Sequence, residues 1–216
     1  MRTYVLLTEL LPLVLRDCPN VPRGVALHEI RTAAIRFCIA TRFWREDIVP
    51  QSTLVDITVT EYELFCLAPE TRPVATLSLQ ADGRPLQPMA EDELDRTESG
   101  WRIKEGNPTQ FISPSAAWVR PIPITTSTAV VLTGKIAVAP TQDGNYLLDD
   151  LYEIHGNAIA SLAKSALMLM PGKPWSNPEM AMYFAQIGDT AMSVATSDAS
   201  RNFSAAPKRR VKPCWM

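Results

Sequence analysis

The sequence predicts an α+β chain: an antiparallel helical bundle formed by the N- and C-terminal parts, a proline-rich β insertion between them, and an extended C-terminal tail. Three observations lead there. Apolar residues recur at helical spacing near both ends, the period changes to that of strands in the middle, and most of the 18 prolines fall in that middle part. Neither helical part can bury its stripe alone, so the two are expected to pack on each other while the β region loops out. The expected divisions are 1–48 for the first part of the bundle, 49–140 for the insertion, 141–206 for the second part and 207–216 for the tail.

Thr8 to Arg16 reads as a short helix, stopped by Cys18-Pro19-Asn20-Val21-Pro22. A longer helix follows, in which Leu27, Ile30, Ala34, Phe37, Thr41 and Trp44 alternate spacings of 3 and 4 and so share one stripe. Leu54 to Thr60 and Val74 to Leu79 alternate as strands do, Asp82-Gly83 signals a turn, and Thr128 to Val138 is β-branched. Ala90 to Glu98 is expected to form a small acidic helix. Helical character returns with Leu151, Ile154, Ala158, Leu162, Ala166 and Leu169, halted by Pro171-Gly172-Lys173-Pro174. A last helix is expected to start at Ser176 or Asn177 as cap, with Pro178 in its first turn and Met180, Phe184, Ile187, Ala191 and Val194 on its stripe. The predicted bundle core therefore includes Leu27, Ile30, Phe37, Trp44, Ile154, Leu162, Phe184 and Ile187.

Composition narrows the chemistry. With 21 basic and 23 acidic residues the net charge is −2, against a protein that coats nucleic acid over its whole surface. Nine glycines leave little material for phosphate-cradling loops, and neither G-x-x-x-x-G-K-[ST] nor G-x-G-x-x-G is present. Two histidines, His28 and His155, cannot build a multi-imidazole metal site, and the four cysteines contain no C-x-x-C pair, which reads as reduced thiols. No signal peptide or membrane span is expected. Asp149-Asp150 and Glu91-Asp92-Glu93 fit the positive end of a helix. No catalytic, cofactor or metal site is therefore expected.

The remaining feature is a surface one. Pro207 to Met216 holds four basic residues and no acid, so Lys208, Arg209, Arg210, Lys212, Trp215 and Met216 are candidates for gripping phosphates or a protein groove.

Several segments carry a family pattern. Leu11-Pro12-Leu13-Val14, followed by Ala33-Ala34-Ile35-Arg36-Phe37-Cys38-Ile39-Ala40-Thr41-Arg42-Phe43-Trp44-Arg45-Glu46, resembles the opening of tailed-bacteriophage head-to-tail adaptor (connector, tail-tubular-A-like) proteins. Gly106 to Phe111 is similar to an element of their β insertion, Ile136 to Pro140 to the strand returning to the bundle, and Tyr152 to Leu162 and Trp175-Ser176-Asn177-Pro178 to their later helical motifs. The resemblance spans roughly residues 5–205. It departs at Asn157 and leaves the basic tail outside. It implies a virion structural protein without enzymatic activity or cofactor: a dodecameric ring at the neck, assembled in the host cytoplasm. Its implied partners are the portal protein, tail or nozzle proteins, and genomic DNA passing through the channel without sequence specificity, with no membrane. The tail is then the candidate hook for the portal. Two other readings stay open, another neck or head-completion protein and a nucleic-acid-binding module acting through the tail.

Overall fold

The computed structural model describes residues 3–53, 60–124 and 129–201. The chain opens with β1 (Tyr4–Leu6), a 3-10 turn over Leu7–Leu10 and the short α1 (Leu11–Leu15). The long α2 (Arg23–Thr41) ends where Arg42 adopts a left-handed conformation with φ of 51°. Thr41 seals that end, its hydroxyl donating to the Phe37 carbonyl at 2.8 Å and accepting from the Phe43 amide at 3.2 Å.

Strands then follow: β2 (Arg45–Asp47), β3 (Gln51–Ser52), β4 (Tyr62–Glu63), β5 (Thr71–Ala81) and β6 (Arg84–Pro88). Asp82 and Gly83, both with positive φ, form the turn between β5 and β6, the geometry that matches the twist of a two-residue hairpin. After α3 (Glu91–Thr97) come β7 (Gln110–Ser115), β8 (Trp118–Ile122), β9 (Val131–Pro140) and β10 (Tyr146–Leu148), then α4 (Asp149–Met168) and α5 (Pro178–Ser200). Asn177 caps α5 by accepting from the Met180 amide, and Pro178 occupies the first turn, where no N–H is needed.

Eight of these strands join in one sheet, in the order β2-β9-β5-β6-β7-β8-β4, with β3 also on β9. The sheet curls until its end meets its beginning: the Val49 amide donates to the Phe65 carbonyl at 2.7 Å, and the Gln51 side chain donates to the Glu63 carbonyl at 2.5 Å. β1 and β10 form a separate two-stranded sheet that brings the chain start to the foot of α4.

This mixed α/β fold overturns the predicted helical bundle with a β insertion looping out. The reason lies in α2, whose buried residues Ala26, Ile30, Ala33, Ala34, Ile35, Phe37, Cys38 and Thr41 occupy far more than one stripe. The helix is sandwiched, with β9 on one side and α4 on the other. Correspondingly, Ile136, Val138, Ala137 and Ala139 of β9 are all buried without alternation, as in a strand covered on both faces. One apolar core runs from Leu7 through Phe37, Leu132 and Ile136 to Ala195, so sheet and helices share it. A smaller cluster of Leu94, Trp101, Ile112 and Ile122 lies beneath α3. Of the predicted strand over Leu54 to Thr60, positions 54–59 lie outside the described residues, as does the whole of 207–216.

The register between β5 and β9 shifts between Thr76 and Ser78, and there Gly134 meets the opposing backbone. A side chain at Gly134 would collide with the Ser78 carbonyl, whereas Gly24, in the first turn of α2, has open space around it. Gly134→Ala is therefore expected to lower unfolding free energy by about 1–3 kcal/mol. Gly24→Ala should leave it unchanged or raise it by up to about 1 kcal/mol, through helix propensity. Urea titration of the two variants checks both signs.

Candidate functional site

α4 is the central helix, packed against α1, α2 and α5. Its Lys164, almost fully buried, donates to the Asp17 carboxylate at 2.6 Å and stands 4.9 Å from the centre of the Phe184 ring. One cation thus joins the end of α1 to α4 and α5. The Lys164 hydrogen bond holds the Asp17 carboxyl below the usual carboxylate range, against the opposing effect of burial.

α5 is the outermost helix, and its side chains are distributed in an unusual way. The buried seam is Ala181, Phe184, Gly188, Ala195 and Ala199. Gly188 lies against Leu162 so closely that an added Cβ would stand 2.5 Å from its Cδ2. The larger apolar residues Met180, Met182, Tyr183, Ile187 and Val194 are exposed instead. Met180, Tyr183, Ile187 and Val194 recur at helical spacing, so they form a stripe about 21 Å long that carries no charged side chain. The helix is fixed at two points. Arg36 pairs with Asp189 at 3.1 Å, and the Arg45 side chain donates to the Ala199 carbonyl at 2.5 Å, satisfying the last turn.

The predicted core residues divide accordingly. Ile30, Phe37, Trp44, Leu162 and Phe184 are buried, and Leu27 is partly buried. Trp44 lies beyond the end of α2 and donates from its indole to buried Glu46 at 2.7 Å. Periodicity places Ile154 and Ile187 in the core, whereas they are 64% and 38% exposed. The inner side of α4 at that level is taken by His155 and Gly156, where a Cβ would sit 3.2 Å from Leu10 Cδ2, so Ile154 turns outward. On α5 the small residues take the seam, and Ile187 is left outside.

A second exposed apolar surface lies on the sheet. Residues 61–68 alternate: Tyr62, Leu64 and Ala68 face in, while Glu61, Glu63, Phe65 and Leu67 face out. Trp118, opposite Glu63 in the register, joins Phe65 and Leu67 on that outer face, and Leu67 is 89% exposed. Sequence motifs did not mark this patch. The alternation from Glu61 to Ala68 is the signal that would have shown it.

Titratable groups do not converge in the same way. Among the described residues, no three His, Cys, Asp or Glu side chains gather as metal ligands, and no helix is long and apolar enough to cross a membrane. His28 is exposed on α2. Glu91 and Asp95 hold Arg102 at 2.8 and 2.5 Å, and Asp149 accepts from the Thr3 hydroxyl at 3.0 Å. The predicted partner-binding residues Lys208, Arg209, Arg210, Lys212, Trp215 and Met216 lie outside the described residues. No protein-family model matches the chain, and no curated protein matches it.

His155 is packed between two aromatic rings, 5.1 Å from Phe37 and edge-on to Phe43 at 4.8 Å. Burial pushes its pKa below the ordinary value, while the charge of Asp198 on α5 opposes that shift. The native state thus favours neutral imidazole, and the unfolded chain takes up the proton first. Stability is expected to be undiminished above about pH 6.5 and to fall as pH drops below it. In His155→Phe this loss between about pH 6.5 and 5 should be absent, as denaturant melts at a series of pH values will show. The Asp17 contribution is lost only further down, below about pH 4.

Proposed function

We propose that the chain is a structural subunit of a tailed-bacteriophage neck: a head-to-tail adaptor that binds the portal as a ring, extends the DNA channel and offers the tail a platform. The observation that carries this reading is α5, a helix that turns its small residues inward and its large apolar residues outward. A chain working alone gains by burying Met180, Tyr183, Ile187 and Val194, and exposed apolar patches of this kind mark surfaces that a partner covers. Met and aromatic residues are also the types enriched where proteins meet. The motif resemblance over residues 5–205 supports the adaptor assignment within that class.

In this reading Phe65, Leu67 and Trp118 offer a second surface, suited to tail or nozzle components. The basic segment from Lys208 to Met216 is the hook for the portal: a weak contact of one short segment is multiplied by repetition around the ring.

Electron-microscopic imaging of the purified chain mixed with its portal protein is expected to show an added ring on the portal. Deletion of residues 207–216 should abolish that ring while leaving the thermal unfolding of the chain unchanged. A truncated chain that still decorates the portal contradicts the role of the segment. A full chain that never binds the portal, yet binds DNA in a salt-dependent way lost on neutralising Lys208, Arg209, Arg210 and Lys212, replaces the reading with nucleic-acid binding.

A further inference from the structure

We propose that in the free chain the basic C-terminal segment, Lys208 to Met216, seats on the patch formed by Phe65, Leu67 and Trp118 of the same chain, with its cations against Glu61 and Glu63. The proposal does not rest on the adaptor reading. Within that reading, the segment leaves the patch as it engages the portal and so uncovers the platform.

The seat is an apolar row that ends in carboxylates. Glu61, Glu63, Phe65 and Leu67 are exposed along one side of the strand, and Trp118 stands directly across from Glu63. Phe65 is 51% and Leu67 89% exposed. On the Trp118 side the basic groups are engaged elsewhere. Arg120 holds its guanidinium over the Trp101 ring and donates to the Arg102 carbonyl at 2.7 Å. Arg102 pairs with Glu91 and Asp95, and Lys104 with Glu98 at 3.1 Å. A patch of this make selects an occupant that is apolar and basic at once, and it repels nucleic acid.

Charge and chain path together identify the occupant. Lys208-Arg209-Arg210 is the one run of three basic residues in the sequence; Lys212 follows it, and Val211, Trp215 and Met216 supply apolar surface. The segment's origin is fixed, because Arg45 of β2 donates to the Ala199 carbonyl at the end of α5. Arg45 and Asp47 flank buried Glu46 and share the outer face of the sheet, and Val49 continues that face past buried Ile48. The Val49 amide then donates to the Phe65 carbonyl. From Arg45 to Phe65 is four residues along and one strand across, about 14 Å, and Trp118 is about 5 Å further. Residues 202–207 alone can cover about 20 Å when extended. The carboxylates of α5 compete less: Asp189 is paired with Arg36, Asp198 acts on His155, and Glu179 stands at the far end of the helix.

The test begins with zero-length carbodiimide coupling of the full-length chain, read by peptide mass spectrometry. Lys208 or Lys212 is expected to join Glu61 or Glu63 at the mass of one chain. In a mixture of isotope-labelled and unlabelled chain, the joined peptides should each carry a single isotope. A second readout is thiol labelling at residue 67 of Leu67→Cys, a substitution at an exposed position. It should be about threefold slower in the full-length chain than in one ending at residue 206, a ratio of about 0.65 kcal/mol, too small to move the melting temperature by more than about 2 °C. In the full-length chain, Glu61→Lys with Glu63→Lys should remove the protection. Adding Lys208→Glu, Arg209→Glu, Arg210→Glu and Lys212→Glu should restore it, which separates charge pairing from a change in folding.

Three outcomes overturn the proposal: joined peptides of mixed isotope, which place the segment on another copy; links to Glu179 or Asp198 in place of Glu61 and Glu63, which place it on α5; or equal labelling at residue 67 with and without the segment. Portal binding enters none of these readouts. A chain that shows the links and the protection but never binds portal keeps this contact and loses the adaptor role. A chain that rings the portal without them keeps the adaptor role and loses this contact.

Discussion

The way α5 sits on α4 is the constraint from which the surface of this protein follows. Gly188 meets Leu162 with no room for a Cβ, and Ala181, Ala195 and Ala199 continue the same narrow seam. Close packing of small residues holds the helix at short range and leaves its bulkier side chains no inner place. Phe184 is the exception, and it is accommodated because buried Lys164 lies over its ring while pairing with Asp17. Removing the Lys164 ammonium would leave Asp17 with Arg16 alone, 3.5 Å away, and would break the polar tie from the end of α1 to α4. Arg36 and Arg45 then fix the middle and the end of α5 to α2 and β2, which makes the outward direction of Ile187 a property of the whole fold.

Beneath that layer, α2 connects helices and sheet. It is covered on both sides, and β9 is correspondingly buried along its last residues. The curled sheet can therefore present one face of residues 61–68 outward while Tyr62 and Leu64 join the common core. Two apolar surfaces of different make result, one on a helix and one on a sheet edge, held on a single core. A shared core keeps the two surfaces in fixed relation.

Much of the local structure was legible in the sequence. The Asp82-Gly83 turn, the Asn177-Pro178 helix start and the helical spacing of α2, α4 and α5 all follow from short-range chemistry. The architecture did not follow, because periodicity records which residues share a face and is silent about what covers it. Ala26, Ala33 and Ala34 of α2 look neutral in sequence, yet they let a strand and a helix approach from two sides. The same ambiguity misplaced Ile154 and Ile187: in a helix with many alanines and a glycine, size complementarity to the neighbour chooses the inner face, and hydrophobicity alone points to the wrong one. The outward row Phe65, Leu67 and Trp118 needed the register of β4 with β8 before it became a surface. For the basic segment from Lys208 to Met216, composition remains the source of its assignment.

The central claim is that the stripe of α5 is covered in the working assembly, and methionine oxidation tests it most directly. Met180 lies on the stripe, whereas Met182 is two positions away, on another side of the same helix, and is 66% exposed. In dilute, unassembled protein both should form sulfoxide readily. In the assembled protein, mass spectrometry should find Met180 protected several-fold and Met182 still reactive. Equal oxidation of Met180 in the two states would show that the stripe stays in water and would contradict the account.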